Sequence, residues 1–227
     1  TVSAVLAGAS SSVGLRKTTA GSVTLSGANT YTGNTVVTAG TLALGASHVL
    51  SNSSALSVNG ASAVFDLGSF SDAVSGVSIG SNGGSITSST GTLTGSSYTF
   101  SPGSGNTVSV TARLAGNAAL THDGAGKTTL IGVNTRNGNT SLSAGILELG
   151  SSGALNSSDG TISFTGGALR FSAANTTDYS ARFSTAASQA YKIDTNGQSV
   201  MLATALTASG GSLSKLGVGT LTLSGAN

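Results

Sequence analysis

The sequence of 227 residues has no cysteine, no tryptophan, one proline and few charged side chains. Without cysteine the chain cannot be a small scaffold held together by disulfides. Charged residues make up 7 % of the chain, against about 25 % in an average soluble domain, which leaves too few to cover the outer faces of a helical bundle. No uninterrupted run of about 18 apolar residues is present, so no membrane-spanning helix is expected.

Small residues fill the sequence instead, since 34 glycines, 41 serines and 31 threonines make up close to half of it. Apolar residues still account for 38 % of the chain and are spread evenly, which is enough to bury a core and argues against a disordered chain. Apolar and small polar residues alternate in short stretches bounded by glycine or asparagine. This pattern predicts an all-β chain of short strands joined by many corners.

The few charges are scattered along the chain. Nine basic and seven acidic residues give a formal net charge of +2, and the basic residues stand singly except for Arg16–Lys17. A nucleic-acid-binding surface needs lysine and arginine clustered on one face. We therefore predict no nucleic-acid partner and no direct insertion into a membrane.

One segment occurs three times, as AGSVTLSGAN (20–29), AGKTTLIGVN (125–134) and VGTLTLSGAN (218–227). The first two copies continue to match downstream without a gap, from TYTGNTVVTAGTLALG (30–45) to TRNGNTSLSAGILELG (135–150). A repeat of this kind decides the fold class, because each copy is one structural unit that must pack on its neighbours.

The third copy stops at Asn227, where its downstream half would begin, so we expect the sequence to be a piece of a longer array. We predict one β-helical unit over 1–227, with repeat units at about 15–50, 120–155 and 213–227.

Within the unit, alternation places Val23 and Leu25 on one face of a short strand and Thr24 on the other. The strands follow one another too closely for hairpins, which favours a β-solenoid with turns of about 20 residues. The copies are 105 and 93 residues apart, measured from Leu15 to Leu120 and on to Leu213. We predict about five turns in each interval, with a loop accounting for the difference. A β-sandwich is the main alternative.

The repeat defines a set of residues whose predicted role is structural, at corners or in the coil interior: Gly21, Leu25, Gly27, Asn29, Gly33, Gly40, Leu42, Leu44, Gly126, Leu130, Gly132, Asn134, Gly138, Gly145, Leu147, Leu149, Gly219, Leu221, Leu223, Gly225 and Asn227.

The pattern at Gly21–Gly45 resembles the passenger-associated repeat of bacterial autotransporters, and TDYSARF (177–183), KIDTNGQSV (192–200) and residues 210–227 are similar to the joining sequence of these passengers. The resemblance implies a right-handed parallel β-helix of roughly ten turns. It also implies a secreted or surface-displayed passenger, exported through its own C-terminal membrane barrel, which residues 1–227 do not contain. No cofactor is implied.

Two functions of different classes fit this resemblance. The chain is either a structural stalk whose repeats assist export coupled to folding, or an adhesin that binds a host receptor or glycan. For binding, the segment Ser51–Asn106 is the candidate for a protruding loop or a binding face, because it breaks the repeat and contains Phe65, Phe70, Tyr98 and Phe100. These aromatic residues could instead fill the coil interior. A polysaccharide-acting β-helix enzyme is the third choice.

Several motif-like stretches carry no predicted chemistry, and no catalytic, cofactor or metal site is predicted. GAGKTT (124–129) lacks the first glycine of a phosphate-binding loop, since Thr121 stands in its place. Ser78 is centred in a G-x-S-x-G match without a following helix. His48 and His122 are predicted at solvated turn positions, His122 because it aligns with Lys17 and Lys215.

Overall fold

The computed structural model describes residues 1–8, 13–156 and 160–226. The described residues wind into a parallel β-solenoid, in which every strand pair is parallel and the longest sheet contains ten strands, one for each turn of the coil. The prediction of an all-β parallel solenoid of roughly ten turns is confirmed, and the sandwich alternative is wrong. Asn227, one of the repeat residues, lies outside the described part.

The strands are short and are numbered here in chain order: β1 (Leu15–Lys17), β2 (Ser22–Leu25), β3 (Thr35–Val37), β4 (Gly40–Leu44), β5 (Ala55–Val58), β6 (Ala63–Asp66), β7 (Asp72–Val74), β8 (Gly76–Ile79), β9 (Ser85–Thr87), β10 (Thr92–Gly95), β11 (Ser97–Phe100), β12 (Thr107–Val110), β13 (Arg113–Ala115), β14 (Ala119–His122), β15 (Lys127–Leu130), β16 (Thr140–Leu142), β17 (Ile146–Leu149), β18 (Ile162–Phe164), β19 (Ala168–Arg170), β20 (Ala190–Asp194), β21 (Ser199–Leu202), β22 (Ser212–Leu216) and β23 (Thr220–Leu223). A single 3-10 turn, Ser180–Arg182, is the one helical element in the described residues.

The strands form three sides of the coil. Side 1 is the sheet β1-β3-β5-β8-β11-β14-β16-β18, and side 2 is the sheet β2-β4-β6-β9-β12-β15-β17-β19-β20-β22. Side 3 consists of the shorter sheets β13-β10-β7 and β21-β23, whose strands each directly follow a side-2 strand in the chain. No helix in the described residues is long and apolar enough to cross a membrane.

The turns are unequal in length, which decides where each repeat lies. Residues paired between consecutive turns are from 19 positions apart, as for Leu25 and Leu44, to 24 apart, as for Leu169 and Ile193. The interval of 105 residues from Leu15 to Leu120 spans five turns of side 1, as predicted.

The prediction of five turns for the second interval is wrong. Successive pairing along side 2 runs from Thr128 to Lys215 in four turns, a span of 215 − 128 = 87 residues. The second and third copies are 93 residues apart, which leaves 93 − 87 = 6 residues. Six residues also separate His122 on side 1 from Thr128 on side 2, on either side of one corner. The third copy therefore begins on side 2, one side later than the first two, and no inserted loop is needed.

Alternation along each strand builds the interior. On side 1 the inward positions stack in columns, and one column contains Val37, Val58, Ile79 and Phe100 in consecutive turns. Each buried aliphatic or aromatic side chain contributes about 1.5–3 kcal/mol of burial free energy, so the stacked columns stabilise every turn through its neighbours.

The segment Ser51–Asn106 does not form a protruding loop, contrary to one expectation. Strands β5 to β11 continue the coil through it without interruption. Phe65, Tyr98 and Phe100 are fully buried, which agrees with the alternative that they fill the interior, and Phe70 is half-buried against the core.

Candidate functional site: the repeat corners

The asparagine of the first repeat joins three consecutive turns of the coil. Asn29 is buried, and its Oδ1 accepts a hydrogen bond of 2.8 Å from the backbone N–H of Leu6 in the preceding turn. Its Nδ2 donates to the carbonyl oxygen of Val49 in the following turn at 2.7 Å. One side chain thus provides hydrogen-bond partners for a half-buried N–H and a buried carbonyl in two different turns.

The second repeat reproduces this arrangement 105 residues later. The Oδ1 of Asn134 accepts from the N–H of Leu114 at 2.8 Å, and its Nδ2 donates to the carbonyl of Ala154 at 2.7 Å. The backbone N–H of Asn134 also donates to Gly153. We call Asn29 and Asn134 the clamp asparagines, because each holds the turn before it and the turn after it.

At two glycine positions of the repeat, the backbones of successive turns approach closely. A Cβ on Gly27 or Gly132 would overlap the backbone carbonyl of Ala4 or Ala112. Gly225 of the third copy meets the backbone of Ala205 in the same way. Gly33 and Gly138 are similarly placed against the carbonyls of Val13 and Ala118. These positions are therefore restricted to glycine by space.

Gly40 and Gly145 are restricted by both space and conformation. They have φ values of +66° and +55°, in the left-handed region, and a Cβ on either would overlap carbonyl oxygens of the preceding turn. Gly21 and Gly219 also have positive φ, while Gly126 does not and is instead confined by backbone carbonyls. At this position of the repeat, glycine is therefore favoured by a positive φ in the first and third copies and by lack of space for a Cβ in the second.

The repeat leucines differ between the copies. In the first two copies they are buried in the interior, and in the third Leu221 is half-buried and Leu223 is exposed. The buried residues are Leu25, Leu42, Leu44, Leu130, Leu147 and Leu149.

Two different residues perform the same local contact next to the clamps. Tyr31 is buried, and its hydroxyl bonds the Oγ1 of Thr35 at 2.8 Å. The second repeat has Arg136 at this place, fully buried, with an Nη atom on the hydroxyl of Thr140 and another 2.9 Å from the carbonyl of Gly138. The aromatic ring is therefore replaceable by another long side chain that reaches the same threonine.

Comparison with known protein families identifies the repeated segments that contain these corners. The family model for the passenger-associated-transport-repeat matches residues 15–44, 120–149 and 213–227. These three segments are passenger-associated-transport-repeats. The resemblance to autotransporter passengers with such repeats is confirmed, and the family implies secretion or surface display. No curated protein and no solved structure matches the chain.

Because Tyr31 and Arg136 occupy the same position in two transport repeats, the stability losses of two Arg136 variants can be ranked. Arg136→Met should lower the free energy of unfolding by about 2 kcal/mol, because buried carbonyls and the Thr140 hydroxyl lose a donor. Arg136→Tyr should cost about half as much, since tyrosine can reach the threonine as Tyr31 does. Urea unfolding of both variants measures the difference. Equal losses, or a larger loss for tyrosine, would contradict the proposed equivalence.

The position of His122 corrects a prediction from the sequence. His122 is not at a solvated position but fully buried inside the coil, and its Nδ1 lies 2.9 Å from the carbonyl of Ala144. The aligned Lys17 is also buried and donates to the carbonyl of Ala39, again 22 residues downstream. A basic residue here reaches inward to the next corner, which its polarity alone did not indicate. His48, as predicted, is exposed at a turn.

Charged side chains form a ladder on the outside of side 2. Lys127 Nζ lies 3.0 Å from Glu148 Oε2, and Arg170 Nε lies 3.3 Å from the same oxygen and 3.6 Å from Asp194 Oδ2. These four residues belong to β15, β17, β19 and β20, so the ladder links four turns. Lys127 of the GAGKTT stretch is thus part of a strand and an ion pair. Alternating charges favour this register over a shifted one.

Other acidic groups cap backbone donors. Asp72 is buried, and its carboxylate accepts hydrogen bonds from the N–H groups of Val49, Leu50 and Ala73. Burial raises the pKa of Asp72 above its usual value, although these three hydrogen bonds oppose the shift. Partial burial would raise the pKa of Asp178 as well, but hydrogen bonds from Ser180 and Ala203 lower it below its usual value. Both carboxylates hold loops in place.

Phe183, in the stretch TDYSARF that resembles the joining sequence, belongs to an aromatic cluster. Phe183 packs against Phe164 with ring centroids 4.9 Å apart, and Tyr191 packs against both rings.

The described residues give no catalytic surroundings to Ser78, the serine of the G-x-S-x-G match. Ser78 lies on β8 and faces outward, half-buried, with its hydroxyl near the carbonyl of Leu56. Among the residues described, no three acidic or histidine side chains come together as a metal site requires.

Proposed function

We propose that this chain is a structural stalk segment of an autotransporter passenger, and that its transport repeats assist export coupled to folding. The observation that carries the proposal is the clamp: Asn29 and Asn134 each hydrogen-bond to the turn before and the turn after. A turn that contains a clamp asparagine fixes its neighbours in register as soon as they form.

The clamp suits a chain that folds as it emerges from a pore. No ATP is available outside the inner membrane, so a completed turn has to oppose backward sliding by its own stability. Each buried hydrogen bond contributes about 1 kcal/mol net, and each buried leucine adds about 1.5–3 kcal/mol. A few clamped turns therefore make retreat of the chain unfavourable. The absence of cysteine and the low charge also suit threading in an extended state.

A second candidate is an adhesin that binds a host receptor or glycan, and the outer surface of side 1 favours it. Register pairing aligns a hydroxyl side chain in each of six consecutive turns, giving an extended uncharged surface: Ser57, Ser78, Thr99, Thr121, Ser141 and Ser163. Solenoids commonly bind partners along such surfaces. No observation on the described acidic residues favours an enzyme, and we propose none.

Deleting one complete turn of the coil distinguishes the export function from the adhesin function. Leu15 pairs with Thr35, so removing residues 15–34 from the full-length passenger removes one repeat-containing turn and leaves each later residue on its side. Removing residues 56–76 is the matched control, because Leu56 pairs with Val77 outside the matched repeats. Pulse-chase protease accessibility gives the rate of surface appearance, and cell binding is normalised to displayed protein.

We expect the repeat deletion to slow surface appearance several-fold, the control deletion to slow it much less, and binding per displayed molecule to stay unchanged in both. Normal export of both deletions, together with lost binding by the 56–76 deletion, which removes Ser57 from the hydroxyl surface of side 1, would instead favour the adhesin.

A further inference from the structure

His122 lies in a column of inward-facing side chains on side 1, and its neighbours in that column are apolar. Its register partners are Phe100 in the preceding turn and Leu142 in the following turn, and all three are fully buried. In the first repeat, the start of the same column is Lys17, whose ammonium reaches two backbone carbonyls, those of Thr19 and Ala39. A polar atom at this position therefore needs a corner carbonyl as its partner.

The histidine ring satisfies this need on one side only. Nδ1 lies 2.9 Å from the Ala144 carbonyl and must donate to it, since a carbonyl oxygen only accepts. The neutral ring then carries its lone pair on Nε2, which is buried and has no hydrogen-bond partner among the described residues. Thr128 Oγ1, an interior atom on the next strand of the same turn, is likewise buried without a partner in the described part of the chain.

The surroundings offer a protonated ring little compensation. On its own corner the charged neighbour is Asp123, which is exposed and whose carboxylate accepts a hydrogen bond from the Ser101 hydroxyl. The adjoining strands β11 and β16 carry no charged residue, and Lys127 on β15 is engaged with Glu148. A proton on Nε2 would thus place a second donor, with a positive charge, where the described residues provide no acceptor within hydrogen-bonding distance.

We propose that the turn formed by β14 and β15 is an acid-sensitive opening point of the coil, where proton uptake by His122 releases β14 from β11 and β16 while the other turns remain paired. The device is independent of the export role proposed above. It would make one defined turn of the stalk flexible, and open to proteases, in mildly acidic surroundings.

The direction of the pH dependence follows from linkage. Burial lowers the pKa of His122 below the value of about 6.5 that it has in an open turn. The open state therefore binds the proton more readily, and the closed turn loses stability as the pH falls below about 6.5, until the lowered pKa of the closed state is passed. At most one proton is involved, so opening rises up to tenfold per pH unit.

Hydrogen exchange followed by mass spectrometry tests the proposal on the intact chain. Between pH 7.5 and pH 5.0, after correction for intrinsic rates, exchange of peptides covering 119–142 should rise by about tenfold to thirtyfold. Peptides covering β3 to β6 should show no such rise. His122→Leu and His122→Gln, which cannot take up the proton, should both abolish the rise, and the exposed-site control His48→Asn should retain it.

Two variants at His122 keep the test decisive if one of them folds poorly. The proposal is overturned if either folded His122 variant shows the same rise as the unchanged chain, or if acid increases exchange equally in all turns.

Discussion

Asn134→Ala should lower the free energy of unfolding by about 4 kcal/mol, whereas Asn137→Ala, three residues away on the same corner, should change it by less than about 0.5 kcal/mol. Asn134 is buried and serves Leu114 and Ala154 in two different turns. Its loss leaves a buried N–H and a buried carbonyl without partners, each costing about 1–3 kcal/mol. Asn137 is exposed, so water replaces its contacts.

Urea unfolding measures both variants, and the exchange rate of the Leu114 amide reports the loss locally. An Asn134→Ala variant as stable as Asn137→Ala would show that the clamp contributes nothing to holding the turns together.

Gly145→Asn should destabilise the coil by about 3 kcal/mol or more, while Gly68→Asn should cost about 1 kcal/mol or less. The two glycines have nearly the same conformation, with φ values of +55° and +56°. They differ in space, since a Cβ on Gly145 would overlap the carbonyls of Gly124 and Gly126, whereas a Cβ on Gly68 would meet nothing within 4 Å. Because backbone strain is nearly the same at both glycines, the difference in stability between the two variants measures the effect of the close approach of two turns at Gly145.

Thermal or urea unfolding of the two glycine variants gives the comparison directly. Equal losses would mean that the left-handed conformation, and not the contact between turns, accounts for the glycine at this position.

The solenoid could be predicted from the sequence because strand length, alternation and gapless copies all indicate one coil. Leu25, Leu42 and Leu44 lie inside it. The clamp itself was not predicted, although a signal existed: asparagine recurs at Asn29 and Asn134 while the nearby Tyr31 changes to Arg136. Recurrence marks the position, but the partners of the side chain come from turns about 20 residues away and cannot be read locally.

Two of the predictions that were wrong have clear physical reasons. His122 was placed in solvent by its polarity and by its alignment with lysines, but inside this coil a basic side chain can reach a corner carbonyl of the next turn. The third repeat was placed five turns after the second, but turn length varies between 19 and 24 residues. Counting residues therefore does not fix the side on which a strand lies.

The central claim is that clamped turns assist export, and the rate of surface appearance tests it most directly. In the full-length passenger, pulse-chase protease accessibility would compare the clamp variant Asn29→Ala/Asn134→Ala with the control Asn117→Ala/Asn137→Ala, which removes two exposed asparagines. The account predicts several-fold slower appearance for the clamp variant at equal synthesis, and an unchanged rate for the control. A clamp variant that is destabilised in urea yet reaches the surface at the normal rate would contradict it.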